Sequence, residues 1–250
     1  MASYQKILYR VDGGIARITL NRPEKRNALN PELIAEVKDA IANSDQMILL
    51  SGAGADFCSG ADLSGLHDMS QANVLDHMTS ARAVADLFLA MRRHPRPIVA
   101  AVRGRALAGG CGLATAADII LAAESAQFGY PEVNIGFVPA MVMAILRRSV
   151  SEKRAFELLT TGQPISAQTA FDIGMINRIF ADETFDIEVE AYASKLSQKS
   201  ASAVSLSKHL LYQIDSMSFE SALETGVEIN AIARMTEDYK LGIEKFLKKG

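Results

Sequence analysis

Two short, fully apolar segments, each followed by a glycine-rich loop, constrain the fold of this 250-residue chain more than any other feature. The segments are residues 47–50 and 98–102, and the loops are residues 51–62 and 104–112. A strand that is apolar at every position is typical of a parallel sheet covered by helices on both faces. A helical pattern follows each loop. These repeated strand–loop–helix steps predict an α/β fold with right-handed connections.

The segment before these steps carries signals for a hairpin and a helix. Strand-forming runs at 7–11 and 15–20 flank Asp12-Gly13-Gly14, a turn sequence typical of hairpins. Asn30 can cap a helix N-terminus with its side-chain oxygen, and Pro31 suits the first helical position because its missing N–H is not needed there.

The C-terminal part has a different pattern. From about residue 140 the spacing of apolar residues is helical almost throughout, and the last helices carry more apolar surface than one outer layer would bury. We therefore divide the chain into a core at 1–195 and a helical oligomerisation region at 196–250. We expect the protein to be an oligomer.

Composition excludes several classes of protein. The 26 basic and 29 acidic residues give a formal charge of −3, which provides no basic excess for binding nucleic acid or an anionic membrane. No apolar run is long enough for a membrane span, and the first residues lack a signal-peptide pattern. Only Cys58 and Cys111 are cysteines, and the four histidines lack metal-ligand spacing. We expect a cytoplasmic protein without disulfides or metal.

The two glycine-rich loops are candidates for a binding site at the edge of the sheet. Glycine lets the backbone approach a ligand and leaves its N–H groups free to donate. No phosphate-binding signature is present, so these N–H groups could instead face a developing oxyanion. Alternatively, the glycines only form tight turns. Glu132, flanked by aromatic and aliphatic residues, is a candidate general base, or else a surface glutamate in a turn.

Several segments occur in an order that resembles one known family, the crotonase (enoyl-CoA hydratase/isomerase) superfamily. They include the sequences NRPEKRNALN at 21–30, FCSGADL at 57–63, PIVAAVRGRALAGGC at 97–111 and AQFGYPE at 126–132. The resemblance covers nearly the whole chain. It implies a ββα-spiral core followed by C-terminal helices that build a trimer or a dimer of trimers.

The resemblance also implies an activity and its residues. The expected substrate is an acyl-CoA thioester, with CoA as part of the substrate and no separate cofactor. Backbone N–H groups of Ala61 and Gly109 would form the oxyanion hole, and Glu132 would be the catalytic acid/base. The residues carried over as substrate- or CoA-binding are Lys25, Arg26, Asp62, Leu63, Gly110, Phe246 and Lys249, of which Phe246 and Lys249 would serve a neighbouring subunit.

Gly112 is a departure from the family pattern. Hydratases of the main type carry a second glutamate at this position, 20 residues before the one matched by Glu132. Three alternatives follow: a hydratase of methylglutaconyl-like or other enoyl-CoA, a Δ3,Δ2-enoyl-CoA isomerase with Glu132 as sole acid/base, and a non-catalytic acyl-CoA-binding or assembly subunit. Gly112→Glu should raise hydration of crotonyl-CoA if the missing carboxylate limits it. The variant should instead lose activity on every substrate if backbone geometry or a bulky 3-substituted substrate requires glycine.

Overall fold

The computed structural model describes residues 4–62 and 71–248. Within these ranges the strands form two sheets. They are β1 (Ile7–Asp12), β2 (Ile15–Leu20), β3 (Met47–Gly52), β4 (Ile98–Val102), β5 (Arg105–Leu107), β6 (Ile119–Ala123), β7 (Gln127–Gly129), β8 (Ile165–Ser166) and β9 (Arg178–Phe180).

The helices alternate with the strands in the first part of the chain and dominate the last. They are α1 (Pro31–Ala42), α2 (Val74–Arg93), α3 (Gly109–Thr115), α4 (Ala140–Ser149), α5 (Glu152–Thr161), α6 (Ala167–Asp172), α7 (Phe185–Ser197), α8 (Ala201–Gln213), α9 (Phe219–Met235) and α10 (Glu237–Leu247). Short 3-10 helices occur at Pro23–Lys25, Pro131–Ile135 and Ile214–Ser216.

The main sheet has the order β1-β2-β3-β4-β6-β9. The hairpin β1–β2 is antiparallel, whereas every other pair in this sheet is parallel. A smaller sheet has the order β5-β7-β8. Its strands β5 and β7 follow the parallel strands β4 and β6 in the chain. The predicted hairpin and the predicted buried strands are therefore present, and β4 is buried at all five positions.

Helices cover the main sheet on both faces, as the apolar strands predicted. One face packs in a large core with α1 and with Leu87, Phe88 and Met91 of α2. The opposite face packs against α7 through Phe185 and Val189. This two-sided burial explains why residues of β3 and β4 are apolar without alternation.

Local signals placed α1 correctly, but three strands were missed. The Asn30 side chain accepts a hydrogen bond from Leu33 N at 3.0 Å, which confirms the predicted N-cap. The second glycine-rich loop contains β5, and the region predicted to be almost wholly helical contains β8 of the small sheet and β9 at the edge of the main sheet. A three-residue strand is too short to show a period-2 pattern, so only its tertiary pairing defines it.

A buried ion pair attaches α8 to the core. Lys208 Nζ donates to Asp118 Oδ2 at 2.8 Å and to the carbonyl oxygens of Met91 and Arg96. The Tyr212 hydroxyl donates to the other Asp118 oxygen, and Asp118 Oδ2 also accepts from Ile98 N at 2.7 Å. This network joins the first C-terminal helix to the start of β4. None of the helices in the described ranges is long and apolar enough to cross a membrane.

We predict that Lys208→Met lowers the free energy of unfolding by about 3–5 kcal/mol, because it leaves the buried Asp118 carboxylate without its cation. Urea unfolding at fixed protein concentration measures the change. Lys240→Met is the matched control, since Lys240 pairs with Glu237 on an exposed helix face and should cost at most about 0.5 kcal/mol. Equal small losses in both variants would show that the buried pair does not anchor α8.

Candidate active site

The two glycine-rich loops run side by side and hydrogen-bond to each other. Cys58 and Ala106 form a parallel bridge, with Cys58 N donating to Arg105 O and Leu107 N donating to Cys58 O, both at 3.0 Å. A Cβ atom built on Gly110 would lie 2.3 Å from the Cys58 carbonyl oxygen. Glycine at this position therefore allows the backbones to approach, which is the structural role found for this predicted binding residue.

The approach of the loops brings residue 60 next to Gly109. A Cβ atom on Gly60 would lie 2.6 Å from Ala108 Cβ and 3.4 Å from Gly109 N, and Gly60 has a positive φ of 96°. The carbonyl of Gly60 accepts a hydrogen bond from Leu29 N at 2.7 Å. In a planar trans peptide the N–H points opposite to the C=O, so the Ala61 N–H points away from Leu29.

The second candidate donor is the first residue of a helix. Gly109 begins α3, and the first N–H groups of a helix have no partner within it. Ala108, just before it, has a φ of 51° although it is not glycine, and its N–H donates to Gly129 O at 2.8 Å. Neither the Ala61 N–H nor the Gly109 N–H donates to a backbone carbonyl outside regular elements within the described ranges. The oxyanion-hole assignment stays a prediction, compatible with this geometry.

Glu132 lies in the 3-10 helix Pro131–Ile135, which follows β7. Its Oε2 atom is buried and finds no hydrogen-bond partner among the residues that the structure describes. Burial raises the pKa of this carboxyl, and its own backbone N–H opposes the rise. An unpaired, buried carboxylate is a stronger base than an exposed one, because proton uptake removes a poorly solvated charge. This is the property expected of a general base rather than of a surface glutamate.

The space beside Gly112 is already filled. A Cβ atom on Gly112 would lie 2.1 Å from Val142 Cγ1 and 3.2 Å from Phe88 Cζ. The neighbouring helix α4 thus packs where any side chain of residue 112 would begin. A glutamate at position 112 therefore requires Val142 to move, and the effect of Gly112→Glu on hydration stays a prediction.

The predicted CoA-binding residues near the N-terminus lie beside the first glycine-rich loop. Lys25 and Arg26 are exposed, and Arg26 O accepts a hydrogen bond from Ser59 N at 3.0 Å. The Asp62 carboxylate is mostly buried and pairs with Arg22 at 2.8 Å. Contact of Asp62 with CoA therefore stays a prediction, whereas its pairing with Arg22 is a feature of the structure.

The remaining predicted binding residues lie at or beyond the edges of the described ranges. Phe246 of α10 is 78% exposed and far along the chain from the glycine-rich loops. That exposure leaves its ring available to another subunit, as the resemblance implies. Leu63 and Lys249 lie outside the described residues.

Sequence reasoning missed Asn27, which holds the first glycine-rich loop in place. Its side chain is fully buried and donates to the carbonyl oxygens of Ala53 and Asp56, each at 2.8 Å. Its Oδ1 accepts from Arg22 N, and its φ is 54°. Asparagine tolerates this left-handed conformation, so an asparagine within a polar loop was the available signal.

The two cysteines occupy packing positions within the loops. Both are fully buried, and burial raises the pKa of each thiol to about 12. A thiol with this pKa is not a nucleophile near neutral pH, so both side chains serve in packing. Among the described residues no group of three or more histidine, cysteine, aspartate or glutamate side chains could hold a metal ion.

A comparison with protein families decides the assignment. Residues 10–250 match the family described as enoyl-CoA hydratase/isomerase. The chain belongs to this family. A putative enoyl-CoA hydratase of Thermus thermophilus is 36% identical over 242 residues, which cover 95% of this chain and 96% of that protein. A crotonyl-CoA hydratase of Syntrophomonas wolfei is 32% identical over 254 residues, covering 99% and 96% of the two chains.

Comparison with solved structures confirms the fold of this chain. An enoyl-CoA hydratase of Mycobacterium smegmatis superimposes with a TM-score of 0.93 at 31% identity and covers 98% of this chain and 97% of its own. Human enoyl Coenzyme A hydratase domain-containing protein 3 gives a TM-score of 0.93 at 29% identity, covering 98% of each chain. The expected crotonase fold with a helical C-terminal region is thus confirmed, and the protein is an enzyme of the enoyl-CoA hydratase/isomerase type.

We predict that Gly112→Ala lowers the free energy of unfolding by about 1–3 kcal/mol, because the new methyl group overlaps Val142. Thermal or urea unfolding measures it. The double variant Gly112→Ala/Val142→Ala should be more stable than the sum of the two single effects implies, since each change makes room for the other. Gly242→Ala, with nothing within 4 Å of the new Cβ atom, should be neutral or stabilising. Additive losses would show that Val142 does not exclude a side chain.

Proposed function

We propose that the protein hydrates an enoyl-CoA with Glu132 as its only catalytic carboxylate and with Ala61 and Gly109 as the oxyanion hole. The observation that carries the proposal is the Oε2 atom of Glu132, which is buried and has no hydrogen-bond partner among the described residues, and whose carboxyl has a raised pKa. Enolate chemistry needs such a base, together with fixed N–H donors for the thioester oxygen. The CoA moiety belongs to the substrate, and the reaction needs no further cofactor.

A single carboxylate can complete the addition of water. Glu132 removes a proton from water as the water oxygen forms a bond to C3 of the substrate. The electron pair of the C2–C3 double bond moves onto the thioester oxygen, where two backbone N–H groups stabilise the negative charge. The enolate then takes the proton from Glu132 at C2, which returns the carboxylate to its ionised state.

The names of the relatives support water addition, since both curated relatives described above are named hydratases. The lack of a second glutamate at position 112 is compatible with a substrate that carries a substituent at C3, as in methylglutaconyl-like thioesters. A C3 substituent stabilises positive charge at the carbon that water attacks, so a second carboxylate is less needed. We place the activity in fatty acid or related acyl-CoA metabolism in the cytoplasm.

Isomerisation is the second candidate, and the filled space beside Gly112 favours it. A Δ3,Δ2 shift needs one base that removes a proton from C2 and returns it at C4. Glu132 alone can do both, with the same oxyanion hole for the enolate. The two candidates share every residue named so far, and they differ in whether water reaches C3.

We predict that Glu132→Gln lowers hydration, isomerisation and exchange of the C2 proton by about 10² or more, because the amide cannot accept the proton. In the wild type, kcat/KM should fall as the pH drops through the pKa of Glu132, since protonation removes the base. Because burial raises this pKa, the acidic limb should lie above about 4.3, the value of an ordinary glutamate. Exposed Glu183→Gln is the control and should change none of these rates.

Three substrates separate the candidates: a straight-chain 2-enoyl-CoA, a 3-methyl-branched 2-enoyl-CoA and a 3-enoyl-CoA. Turnover of the branched substrate with water uptake supports hydration, and turnover of the 3-enoyl-CoA alone makes the enzyme an isomerase. Tight binding of all three without turnover or deuterium exchange at C2 would mean a non-catalytic subunit. Full activity of Glu132→Gln would refute the proposed role of this residue.

We also propose that the protein assembles into a trimer or a dimer of trimers through its C-terminal helices. Eight large apolar side chains of α9 and α10 are more than half exposed in the single chain. They are Phe219, Leu223, Val227, Ile232, Met235, Leu241, Phe246 and Leu247. Many exposed apolar side chains on two successive helices are typical of an interface.

Light scattering at micromolar concentration should therefore give three or six times the chain mass of 27.0 kDa. Val227→Glu should reduce this mass, because a buried, unpaired carboxylate opposes association. Leu8→Glu, which changes an exposed apolar residue of β1, is the matched control and should leave the mass unchanged. A wild-type mass near 27 kDa would contradict the proposed assembly.

A further inference from the structure

The Tyr130 hydroxyl lies between the two parts of the candidate site. Tyr130 is fully buried and precedes Glu132 by two residues. Its oxygen is 3.4 Å from Thr115 Oγ1, and the Cys111 thiol lies beside it. Thr115 and Cys111 both belong to α3, the helix that begins at Gly109. One hydroxyl group thus links the segment that carries the base to the helix that carries a candidate oxyanion donor.

The Tyr130 hydroxyl has two hydrogen-bond partners on α3, Thr115 and Cys111. The Thr115 hydroxyl has one proton, and it donates that proton to the carbonyl oxygens of Cys111 and Gly112, at 2.9 and 3.2 Å. This leaves the Thr115 oxygen free to accept. The single Tyr130 proton can be donated to Thr115 or to the Cys111 sulfur, and a phenylalanine ring at position 130 can make neither bond.

A second link acts on the other side of Gly109. Ala108 N donates to Gly129 O at 2.8 Å, immediately before Tyr130 in the chain. Residues 129–130 are therefore attached both to the residue before Gly109 and to the helix after it. Two attachments hold the peptide more firmly than one, because a single hydrogen bond still permits rotation about itself.

We propose that Tyr130 is a positioning residue, whose hydroxyl sets the place of the Glu132 carboxylate relative to the Gly109 N–H. The inference deepens the proposed function and rests on it, since it takes Glu132 as the base and Gly109 as an oxyanion donor. Geometry of this kind matters for rate, because displacing a catalytic group by about 1 Å can cost roughly 10²-fold.

The pKa of Glu132 depends on its surroundings and therefore reports on the position of its carboxylate. Two titratable groups that interact with it are Cys111 of α3 and Tyr130 of its own segment. Burial raises the pKa of both, so both are neutral when Glu132 titrates. Burial is the largest cause of the raised pKa of Glu132. If the segment loosens and water reaches Oε2, the pKa of Glu132 falls.

Tyr130→Phe tests the inference on the full-length protein. We expect kcat to fall about tenfold with little change in KM, because binding of the CoA portion does not involve this hydroxyl. We also expect the acidic limb of kcat/KM to move to lower pH, which a loss of stability alone would not cause. Wild-type kcat together with an unshifted limb would overturn the inference.

Substitution of the hydrogen-bond partner checks that Tyr130 acts through α3. Thr115→Val removes the accepting oxygen and should reproduce the loss in kcat and the shifted limb, whereas Thr115→Ser keeps the hydroxyl and should restore both. The double variant Tyr130→Phe/Thr115→Val should be no slower than either single variant, since both remove the same contact. Independent, multiplicative losses would contradict a shared contact.

Tyr212→Phe is the matched control for loss of a buried tyrosine hydroxyl. Tyr212 donates to Asp118 in the α8 anchor, outside the loops of the candidate site. This variant should lower the unfolding temperature without moving the acidic limb. If Glu132→Gln retains activity, the proposed function itself fails. If Glu132→Gln is inactive while Tyr130→Phe behaves as wild type, only the positioning role fails.

Discussion

The close approach of two backbones is the constraint on which the rest of the site depends. The first glycine-rich loop pairs with β5, and Gly110 lets the Cys58 carbonyl come within a distance that any side chain would forbid. This contact sets residue 60 beside Gly109 and directs the neighbouring N–H groups outward. Because the proposed donors are backbone groups, their placement depends on packing rather than on the identity of a functional side chain.

Much of the fold could be predicted because its signals are local. Apolar runs without alternation indicated a parallel sheet, and Asn30 with Pro31 marked the start of α1. The family and the candidate site residues followed from several motifs in a fixed order. The short strands β5, β8 and β9 were missed, since only pairing with distant segments makes them strands.

The parts that could not be predicted depend on contacts between distant segments. The pattern of residues showed that Gly112 replaces a glutamate, but not that Val142 occupies the space beside it. Likewise, nothing in the sequence around Lys208 indicates that its amino group is buried against Asp118. Both facts depend on how helices pack on one another, and helical periodicity specifies a face without specifying the neighbour that covers it.

The ion pair that attaches α8 near β4 has a consequence for the folding of the chain during its synthesis. Asp118 is synthesised 90 residues before Lys208, yet it is buried beside β4 and needs that lysine as its counter-ion. While the last quarter of the chain is still within or on the ribosome, the sheet therefore contains an unneutralised carboxylate near the start of the strand that leads into the second glycine-rich loop. The ion pair between Asp118 and α8 can therefore form only after that helix emerges.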